Sequence, residues 1–290
     1  MSTVKIACVP FYPKMGELKK NLKATIEIIN GIIKENKDSL PDCIIFPELS
    51  LSGYALENLV AECTLSHKSD LIEQLEVCSK KTAIVLGSVW IQQSSFFNTA
   101  LVFENGKLAH IQKKIYLPTY GMFDEARYFR GGESLELWHA PFGTSSILIC
   151  EDAWHPVLPY ASYQQKAQFV FVMSNSPIRG PESYIGSNKM KSQRHWQAML
   201  NTYSQNFAQF YVYVNRSGVE DGLYYSGEIY ACSPLGDIIE PQQREGYSLL
   251  DLNMGDFHSA ASLGGPHQNE NFALNQKILE DSYYKRTEEF

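Results

Sequence analysis

Ser145-Ser146-Ile147-Leu148-Ile149-Cys150-Glu151-Asp152-Ala153-Trp154-His155-Pro156 is an apolar run that stops abruptly at a thiol. Three consecutive branched aliphatics read as a buried strand, and the acidic residues with Pro156 end it. A cysteine fixed at such a strand end is held rigidly, as a nucleophile must be. A free cysteine is more often a small buried hydrophobe, so the reading depends on the rest of the chain.

A second segment, Asp42-Cys43-Ile44-Ile45-Phe46-Pro47-Glu48-Leu49-Ser50-Leu51-Ser52-Gly53-Tyr54, runs an apolar strand into a proline and a carboxylate. Proline ends the ladder, so Glu48 projects from the strand's C-terminal end. A third, from Lys113-Lys114-Ile115-Tyr116-Leu117-Pro118 through Tyr120, Phe123 and Glu125 to Arg127-Tyr128-Phe129, is a basic pair entering an aromatic-rich loop. A carboxylate, an ammonium and a thiol supply a base, an oxyanion stabiliser and a nucleophile.

These three segments resemble the nitrilase superfamily of carbon–nitrogen hydrolases. Phe46-Pro47-Glu48-Leu49 matches its glutamate motif, Lys114 to Pro118 its lysine motif and Cys150-Glu151-Asp152 its nucleophile motif, in the family's order. Within it, the chain is most similar to the glutaminase domain of glutamine-dependent NAD synthetases, over about 4 to 251. The resemblance implies a single α/β domain over 1–264, a four-layer α-β-β-α sandwich, followed by a tail over 265–290 that packs on a neighbouring subunit or frays. It implies a homo-oligomer, with Trp154, Tyr160 and Tyr163 suited to a dimer surface, and no cofactor.

The same resemblance assigns Glu48 as base, Lys114 as oxyanion partner, Cys150 as nucleophile and Glu125 beside the lysine. A surface ion pair of Glu125 with Arg127 or Arg130 is the alternative. Lys114 rather than Lys113 stands three residues before Leu-Pro. Tyr120, Glu151 and Ser176 match residues near the substrate, while His155 is expected at the rim. The stretch Ile178-Arg179-Gly180-Pro181-Glu182-Ser183-Tyr184 departs from the short basic segment of the glutaminases, and no Ser-Gly-Gly-x-Asp-Ser loop occurs. The expected activity is therefore a stand-alone amidase that hydrolyses a small linear amide through a thioester. The alternatives are an N-carbamoyl amine or amino acid amidohydrolase, and a glutaminase subunit giving ammonia to a separate synthetase.

Composition narrows the field independently. At 290 residues and a net charge of -7, with no Lys/Arg block, the chain is a poor match for a nucleic-acid surface. No leader-like N-terminus and no run of about 18 apolar residues is present, so a cytoplasmic protein without a membrane span is expected. Six scattered cysteines fit reduced thiols, and seven histidines without ligand spacing predict no metal site.

Periodicity predicts strands at 4–9, 43–46, 82–89, 146–150, 169–173, 210–215 and 228–233. A hairpin is predicted from 98–104 and 108–113 around Asn105-Gly106. Helices are predicted at 17–37, with Leu18, Leu22, Ile26, Ile29 and Ile33 on one face, at 70–80 with Leu71, Leu75 and Cys78, and at 188–209 with Trp196, Met199, Leu200, Tyr203 and Phe207 inward. The end of the chain reads as weakly helical.

Overall fold

The computed structural model describes residues 2–179, 190–263 and 269–288. The first half runs β1 (Thr3–Cys8), α1 (Leu18–Glu35), β2 (Cys43–Ile45), β3 (Thr64–Leu65), α2 (Asp70–Cys78), β4 (Ala83–Gln92), β5 (Ser95–Glu104) and β6 (Lys107–Lys113). The second half runs β7 (Trp138–Ala140), β8 (Gly143–Ile149), α3 (Val157–Gln164), β9 (Phe169–Ser174), α4 (Lys191–Phe207), β10 (Phe210–Asn215), β11 (Ser217–Glu220), β12 (Leu223–Ser226) and β13 (Ile229–Cys232). It ends with β14 (Ile238–Ile239), β15 (Gln242–Gln243), β16 (Ser248–Asn253), α5 (Met254–Leu263) and α6 (Phe272–Glu288).

Strands that are apolar on both faces must be covered on both. One sheet has the order β15-β16-β1-β2-β4-β5-β6, with β3 also on β4, and the other β14-β13-β10-β9-β8-β7. Alternate residues of each strand serve different layers. Ile6, Cys43, Ile45 and Val85 of the first sheet meet Ile147, Phe171, Met173 and Val212 of the second in the central core. Ala7, Ile44, Ile84 and Leu86 instead face Leu22, Ile29 and Ile32 of α1 and Leu75 of α2. On the far side, Leu148, Val170, Val172 and Tyr211 pack under Leu158 of α3 and Trp196 and Leu200 of α4. The result is the α-β-β-α sandwich.

Several expectations need correction. The α2 helix buries Ile72 with Leu75, and Leu71 and Cys78 are only partly covered. The α4 helix starts at Lys191; the predicted first residues, 188 and 189, lie outside the described residues, as do 180–184 of the departing segment, 264 at the end of the expected domain and 265–268 of the tail. The hairpin strands are longer at the β5 end and carry a bulge between Val102 and Phe103. The elements not anticipated are β3, β7, α3, β11, β12, β14, β15, β16 and α5. The β16 strand pairs with β1 along its length, and β11 and β12 form a separate hairpin whose Asp221-Gly222 turn has positive φ at both residues, a two-residue turn signal of the kind used for 105–106.

The tail forms the α6 helix. It is tied to its own chain where Tyr160 of α3 donates to Glu270 at 2.5 Å and Asn275 donates to Tyr160 at 3.1 Å. Phe272, Leu274, Ile278 and Leu279 remain exposed. No helix among the described residues is long and apolar enough to cross a membrane.

Candidate active site

The strands β8, β9 and β10 run parallel in one sheet and β2 runs parallel to β1 and β4 in the other, and the polar groups that follow β2, β6 and β8 lie within electrostatic reach of one another. Glu48 follows β2 and Pro47. Its segment lies so close to β4 that a Cβ on Gly87 would stand 2.1 Å from the Leu49 nitrogen. Only glycine permits that approach. Leu49 takes a left-handed φ of 48° and its carbonyl accepts from Ser52 and Gly53, while the Ser50 hydroxyl bonds Gly87. This tight fold turns Glu48 into the interior, where it is 1% exposed.

Lys114 follows β6, with its backbone N–H held by Asn98 at 2.8 Å. Its ammonium is fully enclosed and touches Glu48 Oε1 at 2.7 Å and Glu125 Oε1 at 2.6 Å. Burial of an ammonium lowers its pKa, but the two carboxylates outweigh that and hold Lys114 charged, above the usual lysine range. Burial raises the Glu125 carboxyl, against the pull of Lys114. Glu125 is not in a surface pair: Arg127 lies by Asp124 and Arg130 by Glu133.

Two further side chains complete this cluster. Asn98 donates to Glu48 Oε1 at 2.8 Å, and Tyr54 donates to Glu125 Oε1 at 2.6 Å. Each carboxylate therefore has one oxygen saturated and a buried second oxygen, Oε2, without a partner. The free Glu48 oxygen is the one able to accept a proton.

Cys150 begins a 3-10 turn directly after β8 and has a left-handed φ of 45°. Such a conformation in a non-glycine residue costs roughly 1–2 kcal/mol and persists only where its surroundings enforce it. Ser174, at the end of the neighbouring β9, donates to the sulfur at 3.4 Å and in turn accepts from Tyr213 at 3.3 Å. Burial pushes the thiol up to about 12, with the Glu48 charge adding and the Lys114 charge opposing. The resting sulfur is thus a thiol, and nucleophilic chemistry on it would require a base.

Asp152 links the two loops. It is buried and its Oδ1 accepts from the N–H of Ile115 at 3.0 Å and of Tyr116 at 2.9 Å, while Oδ2 accepts from Ile149 at 3.1 Å. The residue after Lys114 and the residue before Cys150 thus hang on one carboxylate. Burial lifts that carboxyl to about 7 despite the three donors.

The predicted substrate residues divide into two places. Tyr120, 58% exposed, donates to Glu151 Oε2 at 2.8 Å, and the His155 ring lies 3.4 Å from Glu151 Oε1, stacked on Tyr116. His155, expected at the rim, is thus partly exposed beside Glu151. Ser176 sits apart from them, where its hydroxyl accepts from Trp196 and its backbone is paired with Asn215. Sequence reasoning missed Tyr54, Gly87, Asn98, Asp152 and Ser174. Tyr54 and Asp152 stand inside the motif segments and Asn98 is a polar residue within an apolar strand, whereas nothing local marks Gly87 or Ser174. Among the described residues no group of His, Cys, Asp or Glu is arranged to hold a metal ion.

The arrangement of buried acid–base groups beside a strand-end thiol can be compared with known proteins. The chain is 28% identical over 246 residues to the glutamine-dependent NAD(+) synthetase of Thermotoga maritima, covering 82% of this chain and 40% of that protein. A match to the Acinetobacter baylyi enzyme of the same name is also 28% identical, over 239 residues. The chain spans less than half the length of these relatives. Among solved structures, the Acinetobacter baumannii glutamine-dependent NAD+ synthetase superposes with a TM-score of 0.75 at 26% identity, covering 88% of this chain and 47% of that one. A carbon-nitrogen hydrolase from Helicobacter pylori superposes with a TM-score of 0.81 at 15% identity over 96% of this chain and 99% of that one, a likeness of fold. The model of the carbon-nitrogen hydrolase family matches residues 5–262, and the chain belongs to that family.

Proposed function

We propose that this carbon-nitrogen hydrolase is a thiol-dependent amidase that converts a small linear amide to a carboxylic acid and ammonia through a thioester on Cys150. The observation that carries the reading is the buried Lys114 ammonium between two carboxylates that each keep one oxygen unpartnered. One of those negative charges is neutralised by Lys114; the other is available to take a proton.

The steps follow from those groups. Glu48 Oε2 accepts the Cys150 proton as the sulfur attacks the amide carbon. The oxygen of the tetrahedral adduct becomes negative, and Lys114 with the Glu151 backbone N–H stabilises it, one such donor being worth about 3 kcal/mol. Glu48 then passes its proton to the nitrogen, ammonia departs, and the acyl group remains as a thioester. Water, deprotonated by Glu48, attacks next and releases the acid. Glu125, held by Tyr54, fixes the direction of the Lys114 ammonium. Tyr120 and Glu151 line the approach of the substrate, and Ser176, bonded to Trp196 and Asn215, stands apart from them.

A second reading rests on the relatives: a chain matching less than half of glutamine-dependent synthetases can serve as the ammonia source for a separate synthetase. Ammonia release from short aliphatic amides, glutamine, asparagine and carbamoylated amines, compared with Cys150→Ala, distinguishes the two. Turnover by the chain alone that disappears in the variant supports the amidase. No turnover from any compound, with activity restored only by a co-purifying partner, overturns it in favour of the subunit.

A further inference from the structure

Ser174 ends β9 at the point where the neighbouring β8 gives way to Cys150. Ile149 pairs with Met173 across the parallel ladder, so the next residue on each strand, Cys150 and Ser174, come side by side. Ser174 alternates with Met173 and so shares the face of Val172, beneath the α3 and α4 layer. Tyr213 of β10 lies on that side too, its ring centred 5.0 Å from that of Trp196 and 5.1 Å from that of Tyr230. Tyr213 is fully buried, and Ser174 is its hydrogen-bond partner among the described residues.

The direction of the two bonds follows from what each group can do. A buried phenol has one proton to place, and leaving it without an acceptor is costly. Tyr213 therefore donates to the Ser174 oxygen at 3.3 Å, and Ser174 keeps its own proton for the Cys150 sulfur at 3.4 Å. The reverse chain, with the sulfur donating to Ser174 and Ser174 to Tyr213, would strand the phenol proton. The sulfur also receives the backbone N–H of Asn175. Two donors on its lone pairs leave the single S–H to point elsewhere, and Glu48, whose charge bears on the same sulfur, has an oxygen without a donor.

Such donors matter more to a thiolate than to a thiol, because a hydrogen bond to a charged group is the stronger one. Burial and the Glu48 charge push the Cys150 thiol up, while Lys114, the Ser174 hydroxyl and the Asn175 N–H pull it down. Lys114 is shared with two carboxylates and the Asn175 donor is backbone. Ser174 is the side chain whose proton goes to the sulfur alone.

We propose that Ser174 is a positioning residue for Cys150, held by Tyr213 so that its hydroxyl proton meets the sulfur, turns the S–H toward Glu48 and stabilises the thiolate once that proton leaves. The proton passes from sulfur to the free Glu48 oxygen, and Ser174 retains its own. The consequence for turnover rests on the amidase reading; the effect on the sulfur does not.

Alkylation of Cys150 by iodoacetamide, followed by mass spectrometry of the peptide that carries it, reads the sulfur without any substrate. Loss of one donor should raise the thiol by about one pKa unit, which cuts the thiolate about tenfold and makes what remains a stronger nucleophile. Ser174→Ala should therefore react about threefold more slowly at neutral pH. Ser174→Thr keeps a hydroxyl and should restore the parent rate. Tyr213→Phe should slow the parent less than Ser174→Ala does, and should add nothing to Ser174→Ala, because it acts through Ser174. That double variant leaves no buried phenol unpaired, so it carries the comparison where Ser174→Ala alone folds poorly. Alkylation of Ser174→Ala at the parent rate, equal slowing by Ser174→Thr, or a Tyr213→Phe effect that persists undiminished without the Ser174 hydroxyl overturns the proposal. With an amide that the parent turns over, kcat should fall in the same order while KM stays unchanged. Should no amide turn over, the amidase reading falls, and the alkylation rates alone decide the role of Ser174.

Discussion

Two polar clusters in this molecule differ in how far they are enclosed. Glu48, Lys114 and Glu125 are enclosed, with every contact direct and between 2.6 and 2.8 Å. Glu151, Tyr120 and His155 form a looser group at the rim, where Tyr120 is 58% exposed and the His155–Glu151 contact is 3.4 Å. The residue types are similar; the dielectric is not. In the interior a charge left alone is costly, so the first cluster is held by mutual need. Where the side chains are exposed, water replaces any lost partner, so the second cluster is free to rearrange.

The contrast can be broken most severely at its buried end. Lys114→Met leaves two enclosed carboxylates without their cation, and removal of one partner from a buried pair typically costs about 3–5 kcal/mol. We expect a loss of at least ~10²-fold in kcat, together with a stability that rises on acidification as the orphaned carboxylates take up protons. Activity assays and denaturant unfolding at several pH values read both; a variant as stable as the parent at neutral pH would show that the cluster is not held by charge pairing.

A smaller effect is expected at Asp152, which couples the Lys114 and Cys150 loops. Its carboxyl is raised to about 7 in the folded chain against about 3.9 in an unfolded one. The folded state therefore binds the extra proton between those values, and Asp152 makes stability fall as pH rises from about 4 to 7. Asp152→Asn should flatten that slope, while turning an amide N–H toward Ile149 and lowering kcat through misplacement of Cys150. Thermal unfolding across pH with kcat measured alongside checks it; an unchanged slope removes Asp152 as its origin.

The smallest change is expected at the rim. Tyr120→Phe removes one exposed hydrogen bond, so stability should stay within about 0.5 kcal/mol and the effect should appear in KM rather than kcat. A large fall in kcat with KM unchanged would place Tyr120 in the chemistry and erase the distinction between the clusters.

The two clusters also differed in how far they could be read beforehand. Glu48, Lys114 and Cys150 stand at strand ends marked by proline, by a Leu-Pro step and by an abrupt change from aliphatic to acidic residues. Those are local signals. Asn98, Gly87 and Ser174 are brought in by strand pairing, β5 against β4 and β9 against β8, and no window around them announces it. The β16 strand was missed for a related reason: its partner, β1, lies at the other end of the chain.

By itself, then, the order of residues determined the central strands β1, β2, β4, β8, β9, β10 and β13 and the reactive groups that follow β2, β6 and β8, because these depend on periodicity and on neighbours a few positions away. Only the tertiary structure decided that Glu48 and Glu125 share one ammonium, that each keeps an oxygen free, and that Asp152 ties the segment after Lys114 to the residue before Cys150. Those outcomes depend on distances between segments tens of residues apart, and on the low-dielectric enclosure that their packing creates.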